Sequence, residues 1–174
     1  MKKYYISLVF LVASCQTLLL SQDYKSDFLK KWDHSETYLM KFVQMMPDSL
    51  FDYRPQENMY AFDEQLHHII EHLRWITNDY LMGADNIYVQ RQYELMPKNE
   101  RIAALRTSFQ DVREAVMALD ETDLQIKYAF KPAGYDLSTL DLLHLLLDHT
   151  THHRGQLVVY LRLNNIKPPK YVGW

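Results

Sequence analysis

The chain has 174 residues, of which 48% are hydrophobic, 13% aromatic and 24% charged, with four Gly and one Cys. This excludes a disordered, collagen-like or disulfide-stapled protein and suits one domain around one core. The formal charge of −3 supplies none of the basic surface on which phosphate binding draws, so no nucleic-acid partner is expected.

At the N-terminus, Lys2 and Lys3 precede an apolar stretch from Tyr4 to Leu20, and charged sequence begins at Asp23. That pattern reads as a secretory signal over residues 1–22, cleaved near Ser21. In a second reading Val12-Ala13-Ser14-Cys15 forms a lipobox, the signal ends at Ser14 and Cys15 carries a lipid. The apolar run is also close to spanning length, so an uncleaved anchor is a third reading. The expectation is an exported protein, periplasmic or extracellular, touching the membrane only through a lipidated Cys15 or an uncleaved signal. Taking Lys2 and Lys3 from the 19 basic residues leaves 17 against 22 acids, a net charge of −5, with no cysteine for a disulfide or a nucleophile.

The domain then occupies residues 23–174. Asp27 to Met46 reads as a first helix carrying Phe28, Trp32, Tyr38, Leu39, Phe42 and one of Met45 or Met46, stopped by Pro47. Asp48 to Ala61 holds Pro55 and a polar cluster, an irregular connection that packs through Phe51, Tyr53 and Tyr60. A second helix from Phe62 to Met82 has Leu66, Ile69, Ile70, Leu73, Ile76 and Tyr80 on its inner stripe, with Gly83 at its C-terminal end. Ala84 to Pro97 is a loop. Asn99 to Leu119 is a third helix with Ile102, Leu105, Phe109, Val112, Val116 and Leu119 inward. Asp120 to Asp136 alternates with period two around Ile126 to Phe130 and predicts a short extended or hairpin arm. Ser138 caps a last helix with Asp141 three residues on, and the helix continues to about Asn164 before Pro168 and Pro169. Four amphipathic helices predict an all-α, antiparallel four-helix bundle with a short extended arm before the last helix.

Eight histidines are present, unevenly placed. His34 stands alone on the first helix. His67, His68 and His72 lie on the second, and His144, His149, His152 and His153 on the last. Residues four apart stand one above the other on a helix face, so His149 and His153 can share one metal ion. They follow Leu142, Leu145 and Leu146 in phase and point inward, where an imidazole needs a hydrogen bond or a metal. His68 is the best-phased third ligand, in register with Ile69, Leu73 and Ile76. His152 rivals His153, because spacing of three from His149 also chelates, and His67 rivals His68. His67, His72, His144 and His152 are otherwise assigned to solvent, packing or support of the ligands. Three nitrogens and an open position are the arrangement of a catalytic metal site. Glu64, one turn before His68, and Asp148, beside His149, are the carboxylates that could orient an imidazole or take a proton, and Arg154 could pair with an acid across the bundle. No Gly-rich phosphate loop, nucleophile elbow or HExxH motif is present.

Asp148-His149-Thr150-Thr151-His152-His153-Arg154-Gly155-Gln156-Leu157, followed by Tyr160-Leu161-Arg162-Leu163 and Ile166-Lys167-Pro168-Pro169, resembles the C-terminal signature of the DinB-like (damage-inducible) family: HxxxHRGQ, then YLR and a Pro-rich close. Tyr53-Arg54-Pro55 and Phe62-Asp63-Glu64-Gln65-Leu66-His67-His68-Ile69 resemble its earlier blocks. The resemblance spans the whole mature chain. It implies a four-helix bundle, often a homodimer, with a divalent transition metal such as Zn, Ni, Co or Fe held by His68, His149 and His153. It further implies either a hydrolase or a thiol S-transferase acting on a small-molecule substrate with a low-molecular-weight thiol. One departure from the family is the export signal, since the thiol-using relatives are cytoplasmic. Two further readings come from the residues themselves: a metal-binding bundle without chemistry, closed by a fourth ligand such as His72 or His152, and an interaction module presenting Tyr53, Tyr60, Trp75, Tyr171 and Trp174.

Overall fold

Neither Gly nor Pro interrupts the chain between Lys2 and Met46, so nothing breaks a helix there. In the computed structural model a single helix, α1 (Lys2–Met45), fills this stretch, beginning well before the Asp27 expected from the core pattern. The structure describes residues 2–83 and 88–172, with side chains from residue 24 onward. The side chains of residues 1–23, over which the secretory signal and the lipobox at Cys15 are read, and Trp174 lie outside the described residues. Among the described residues no helix is long and apolar enough to cross a membrane.

Three further helices follow: α2 (Phe62–Ile76), α3 (Lys98–Ala118) and α4 (Thr139–Leu163). Their starts match the expected positions to within a residue. The end of α2 differs, because its last stretch is a π-helical turn at Thr77–Leu81. There the Thr77 hydroxyl donates back to the Leu73 carbonyl at 2.7 Å, and the Met82 N–H reaches the Thr77 carbonyl at 2.9 Å. Such a turn widens the helix by one residue. Gly83 follows with a φ of 93°, the left-handed conformation expected at a helix end.

The extended arm is an antiparallel hairpin of β1 (Lys127–Phe130) and β2 (Tyr135–Ser138), in register Lys127 to Ser138 and Phe130 to Tyr135. It covers the widened end of α2: Phe130 packs against Trp75 at 5.4 Å and against Tyr80 at 5.7 Å between ring centres. The capping box foreseen at α4 is formed, with Asp141 N–H donating to Ser138 Oγ at 3.1 Å and Ser138 N–H to Asp141 Oδ2 at 2.9 Å.

Apolar stripes of all four helices make one core in which Trp32, Phe42, Phe62, Phe109, Leu73, Ile76, Leu146, Leu157 and Tyr160 are buried. Trp32 is fully enclosed, and its indole N–H donates to the Phe109 carbonyl at 3.0 Å. Met46 rather than Met45 joins the core. The α1–α3 pair is closed at both ends by lysines. Lys25 Nζ donates to the last carbonyls of α3, Met117 and Leu119, and Lys98 Nζ donates to the Gln44 and Met46 carbonyls at the end of α1, which places positive charge where the helix dipoles favour it.

Candidate metal centre

The seam between α2 and α4 runs antiparallel, since descending order on one helix meets ascending order on the other. His72 faces His149, His68 faces His149 and His153, and Gln65 faces His153, Gln156 and Tyr160. Each residue is held by its helix phase, because Leu66, Ile69 and Leu73 on α2 and Leu146, Leu147 and Leu157 on α4 are all buried beside it.

His68, His149 and His153 each offer a nitrogen, and these three atoms lie within 4.8 Å of one another. His149 Nε2 and His68 Nε2 are 3.2 Å apart. Two imidazole nitrogens bound tetrahedrally to one zinc ion at its usual bond length stand about 3.3 Å apart. The pair therefore already has ligand spacing, and His153 completes a face. Burial, followed by the crowding of neighbouring imidazoles, pushes His149 down to about 2 and His153 to about 4 and lowers His68. All three rings are neutral at physiological pH, with lone pairs free to bind a cation. The chemistry of the donor set thus fits a divalent ion, and all-nitrogen ligation suits Zn, Ni, Co or Fe.

The other histidines separate clearly. His72 stacks on His149 with ring centres 3.6 Å apart and planes within 11°; burial pushes it down to about 3. It lies outside the three-nitrogen group. His152 is exposed and bonds to Gln156 at 2.9 Å. His144 is exposed and meets Tyr24 edge-on.

His67 turns to the opposite side of α2, where its Nδ1 accepts from Arg101 at 3.3 Å and its Nε2–H donates to the Arg91 carbonyl at 3.2 Å. Arg101 and Asp63 form a buried, two-pronged ion pair at 2.6 and 2.9 Å, and Arg101 also donates to the Glu94 carbonyl at 2.7 Å.

Residues 16–171 match the DinB family model. The chain belongs to the DinB family. No curated protein matches it in sequence. Among solved structures, a DinB-like protein from Bacillus subtilis aligns with a TM-score of 0.69 at 18% identity, covering 83% of this chain and 97% of its own. A DinB-like protein from Bacillus cereus aligns with the same score and identity, covering 83% of this chain and 95% of its own. At such identity the likeness is one of fold.

In this DinB-family chain neither of the two carboxylates singled out from sequence is hydrogen-bonded to one of the three imidazoles among the described residues. Glu64 Oε2 accepts from the Ala61 N–H at 3.1 Å and pairs with Arg54 at 3.0 Å, so it caps the start of α2. Asp148 is exposed. The acceptor behind His153 is instead the amide of Gln65, whose Oε1 receives the Nδ1–H at 2.7 Å. Among the described residues Arg154 pairs with no acid. It donates to Ser35 Oγ at 3.0 Å and Thr151 Oγ1 at 3.2 Å, with its guanidinium over the Tyr38 ring at 5.0 Å, tying α4 to α1.

Two cavities open beside the site, of about 320 and about 420 Å³. His68, Glu71 and Gln90 line both. The smaller adds Tyr60, Glu64 and Tyr93, and the larger adds His72, Trp75, Asp79 and Tyr88. Glu71 is buried; its Oε2 accepts from the Arg91 N–H at 2.7 Å, while Oε1 lies 3.6 Å from Arg74 and receives no hydrogen bond. Of the aromatic residues considered as a recognition surface, Tyr53 and Trp75 are half-buried against the core, whereas Tyr60 and Tyr171 are exposed.

Proposed function

We propose that this protein is a metal-dependent enzyme, a hydrolase or a thiol S-transferase, in which His68, His149 and His153 hold one divalent transition metal. The observation that carries the proposal is the convergence of three neutral imidazole nitrogens from α2 and α4, with one of the three residues, His68, lining two cavities. A bound ion lowers the pKa of coordinated water to about 7 or deprotonates a coordinated thiol, supplying a nucleophile near neutral pH. Three protein ligands leave a coordination position open, as a catalytic site needs.

The remaining work falls to this chain. Because His68 borders both cavities, a small-molecule substrate or low-molecular-weight thiol approaches from the α2 side, between the helix and residues 88–93. Glu71, held by the Arg91 N–H through one oxygen and paired with Arg74 through the other, lines both cavities and is the carboxylate that would receive the proton leaving the nucleophile, in place of Glu64 and Asp148. Trp75 and Tyr88 supply apolar walls and restrict water. If the sequence over residues 1–22 acts as the export signal it resembles, this activity would lie outside the cytoplasm, which favours hydrolysis over thiol transfer.

The test is metal content per chain of the untagged protein, beside His68→Ala and His149→Ala. Near one equivalent in the wild type, lost in both variants, is expected. No metal after reconstitution with Zn, Ni and Mn overturns the proposal. A metal-loaded protein that turns over neither ester, amide nor thiol-acceptor substrates above its chelated form reduces it to a binding protein.

A further inference from the structure

Gln156, the last residue of the HxxxHRGQ run, and the buried Gln65 have no part in the reading above, yet with Tyr160 they decide which nitrogen of His153 is free. The carbonyl of Tyr60 can only accept a hydrogen bond. The Tyr160 hydroxyl donates to it, so the phenol oxygen has only lone pairs left to offer. Gln65 Nε2 lies 3.5 Å from that oxygen and 2.5 Å from Oε1 of Gln156, whose own Nε2 is turned to His152. With acceptors on that side, the Gln65 amide presents its NH2 group to Tyr160 and Gln156 and its Oε1 to His153. Turning the amide over would set its oxygen against two others. An oxygen 2.7 Å from His153 Nδ1 admits only a protonated Nδ1, and in a neutral imidazole the lone pair is then on Nε2.

We infer that Gln65 is a positioning residue: it fixes His153 as the Nδ1–H tautomer and holds the ring so that Nε2 faces His68 and His149, with Tyr160 and the Tyr60 carbonyl setting the direction of the chain. The inference rests on the three-histidine metal reading. It extends that reading to a residue on α2 that touches neither substrate nor metal. Outer partners of this type orient a ligand ring and raise its basicity, and their loss costs about 10- to 100-fold in metal affinity. Among the described residues His149 has no such partner, as its Nδ1 is buried without a hydrogen bond and its ring is clamped by stacking against His72. The two ligands of α4 are therefore held by different means.

The experiment compares the full chain with Gln65→Met, which keeps the volume and removes the acceptor, and Gln65→Glu, which keeps an acceptor oxygen toward His153 while its second oxygen is met by the Gln156 amide turning its NH2 away from the exposed His152. Zinc affinity is read by chelator competition, and the His153 tautomer by long-range proton–nitrogen correlation on the metal-free protein. Gln65→Met is expected to bind zinc about 10- to 100-fold more weakly and to populate the Nε2–H tautomer, with Gln65→Glu within about threefold of wild type. Equal losses in both variants, or an unchanged tautomer in Gln65→Met, overturn the inference. Should Gln65→Met fail to fold, Tyr160→Phe decides, because it removes only the directing hydroxyl: a mixed tautomer is expected and a pure Nδ1–H form overturns. A wild type that takes up no zinc defeats the metal reading alone, since the tautomer of the metal-free protein still judges Gln65. An Nε2–H His153 there defeats the inference.

Discussion

His67 and His68 are neighbours on α2, yet one joins a network of paired charges and the other a group of uncharged rings. Around His67, the Arg101 cation meets the Asp63 anion, and its remaining N–H groups go to a carbonyl and an imidazole nitrogen. Around His68, the rings of His149, His153 and His72 crowd together, and Nε2 of His149 and of His68 face each other at 3.2 Å. The first cluster is complete without anything added and holds residues 91–94 against α2 and α3. The second brings several lone pairs to one point, which only a cation can use together. Polar groups that balance one another fasten a fold, and polar groups that share one unmet need form a site.

The largest effect expected from breaking this contrast lies on the paired side. Arg101→Met leaves Asp63 as an uncompensated buried charge and should lower stability by about 3–5 kcal/mol, read from urea unfolding. Metal uptake by the fraction that remains folded should stay at the wild-type stoichiometry. A loss under about 1 kcal/mol would mean that the pair is solvated and the two clusters are less different than described.

Acidification sharpens the contrast on the other side. The folded protein holds His149 near 2 and His153 near 4, whereas an unfolded histidine titrates near 6.5. Below that value the unfolded chain takes up protons that the folded chain refuses, so stability falls as pH drops from about 6.5 toward 4. The urea midpoint of the metal-free protein should decline across this window, and His149→Leu should decline less. Parallel slopes would show that the rings are not held neutral.

The smallest effect belongs to His67→Ala. Two hydrogen bonds are lost, at a cost of about 1–2 kcal/mol, and metal content is retained. Loss of the metal would move His67 into the ligand set.

Much of this was legible before the fold was seen, because helix phase is a local property. Leu66, Ile69, Leu73 and Leu146 carry the 3.6-residue period, and His68, His149 and His153 share it, so their inward direction followed from spacing. Pairing across the bundle is different. Gln65 is separated from His153 by 88 positions and from Gln156 by 91, and a glutamine beside a glutamate on a helix gives no sign of which one turns inward. Glu64 looked like the natural partner for a histidine four residues on, but capping the helix N-terminus claims it. Asp63 likewise reads as a first-turn acid, and nothing near it in sequence announces Arg101. The π-helical turn at Thr77 extends a pattern that periodicity treats as ordinary helix, and Trp75, which reads as surface, is covered by a hairpin from 50 or more positions downstream.

All three nitrogens come from one helix pair, and His68 is separated from His149 by 81 positions. An ion bound there would close that long loop, a covalent-like tie in a chain whose single cysteine leaves no pair to form a disulfide. In chain-entropy terms a cross-link over such a span removes about 4–5 kcal/mol of freedom from the unfolded ensemble. The coordination proposed above to prepare a nucleophile would therefore also act as a removable clasp, and the α2–α4 half of the bundle would hold its shape most firmly when loaded.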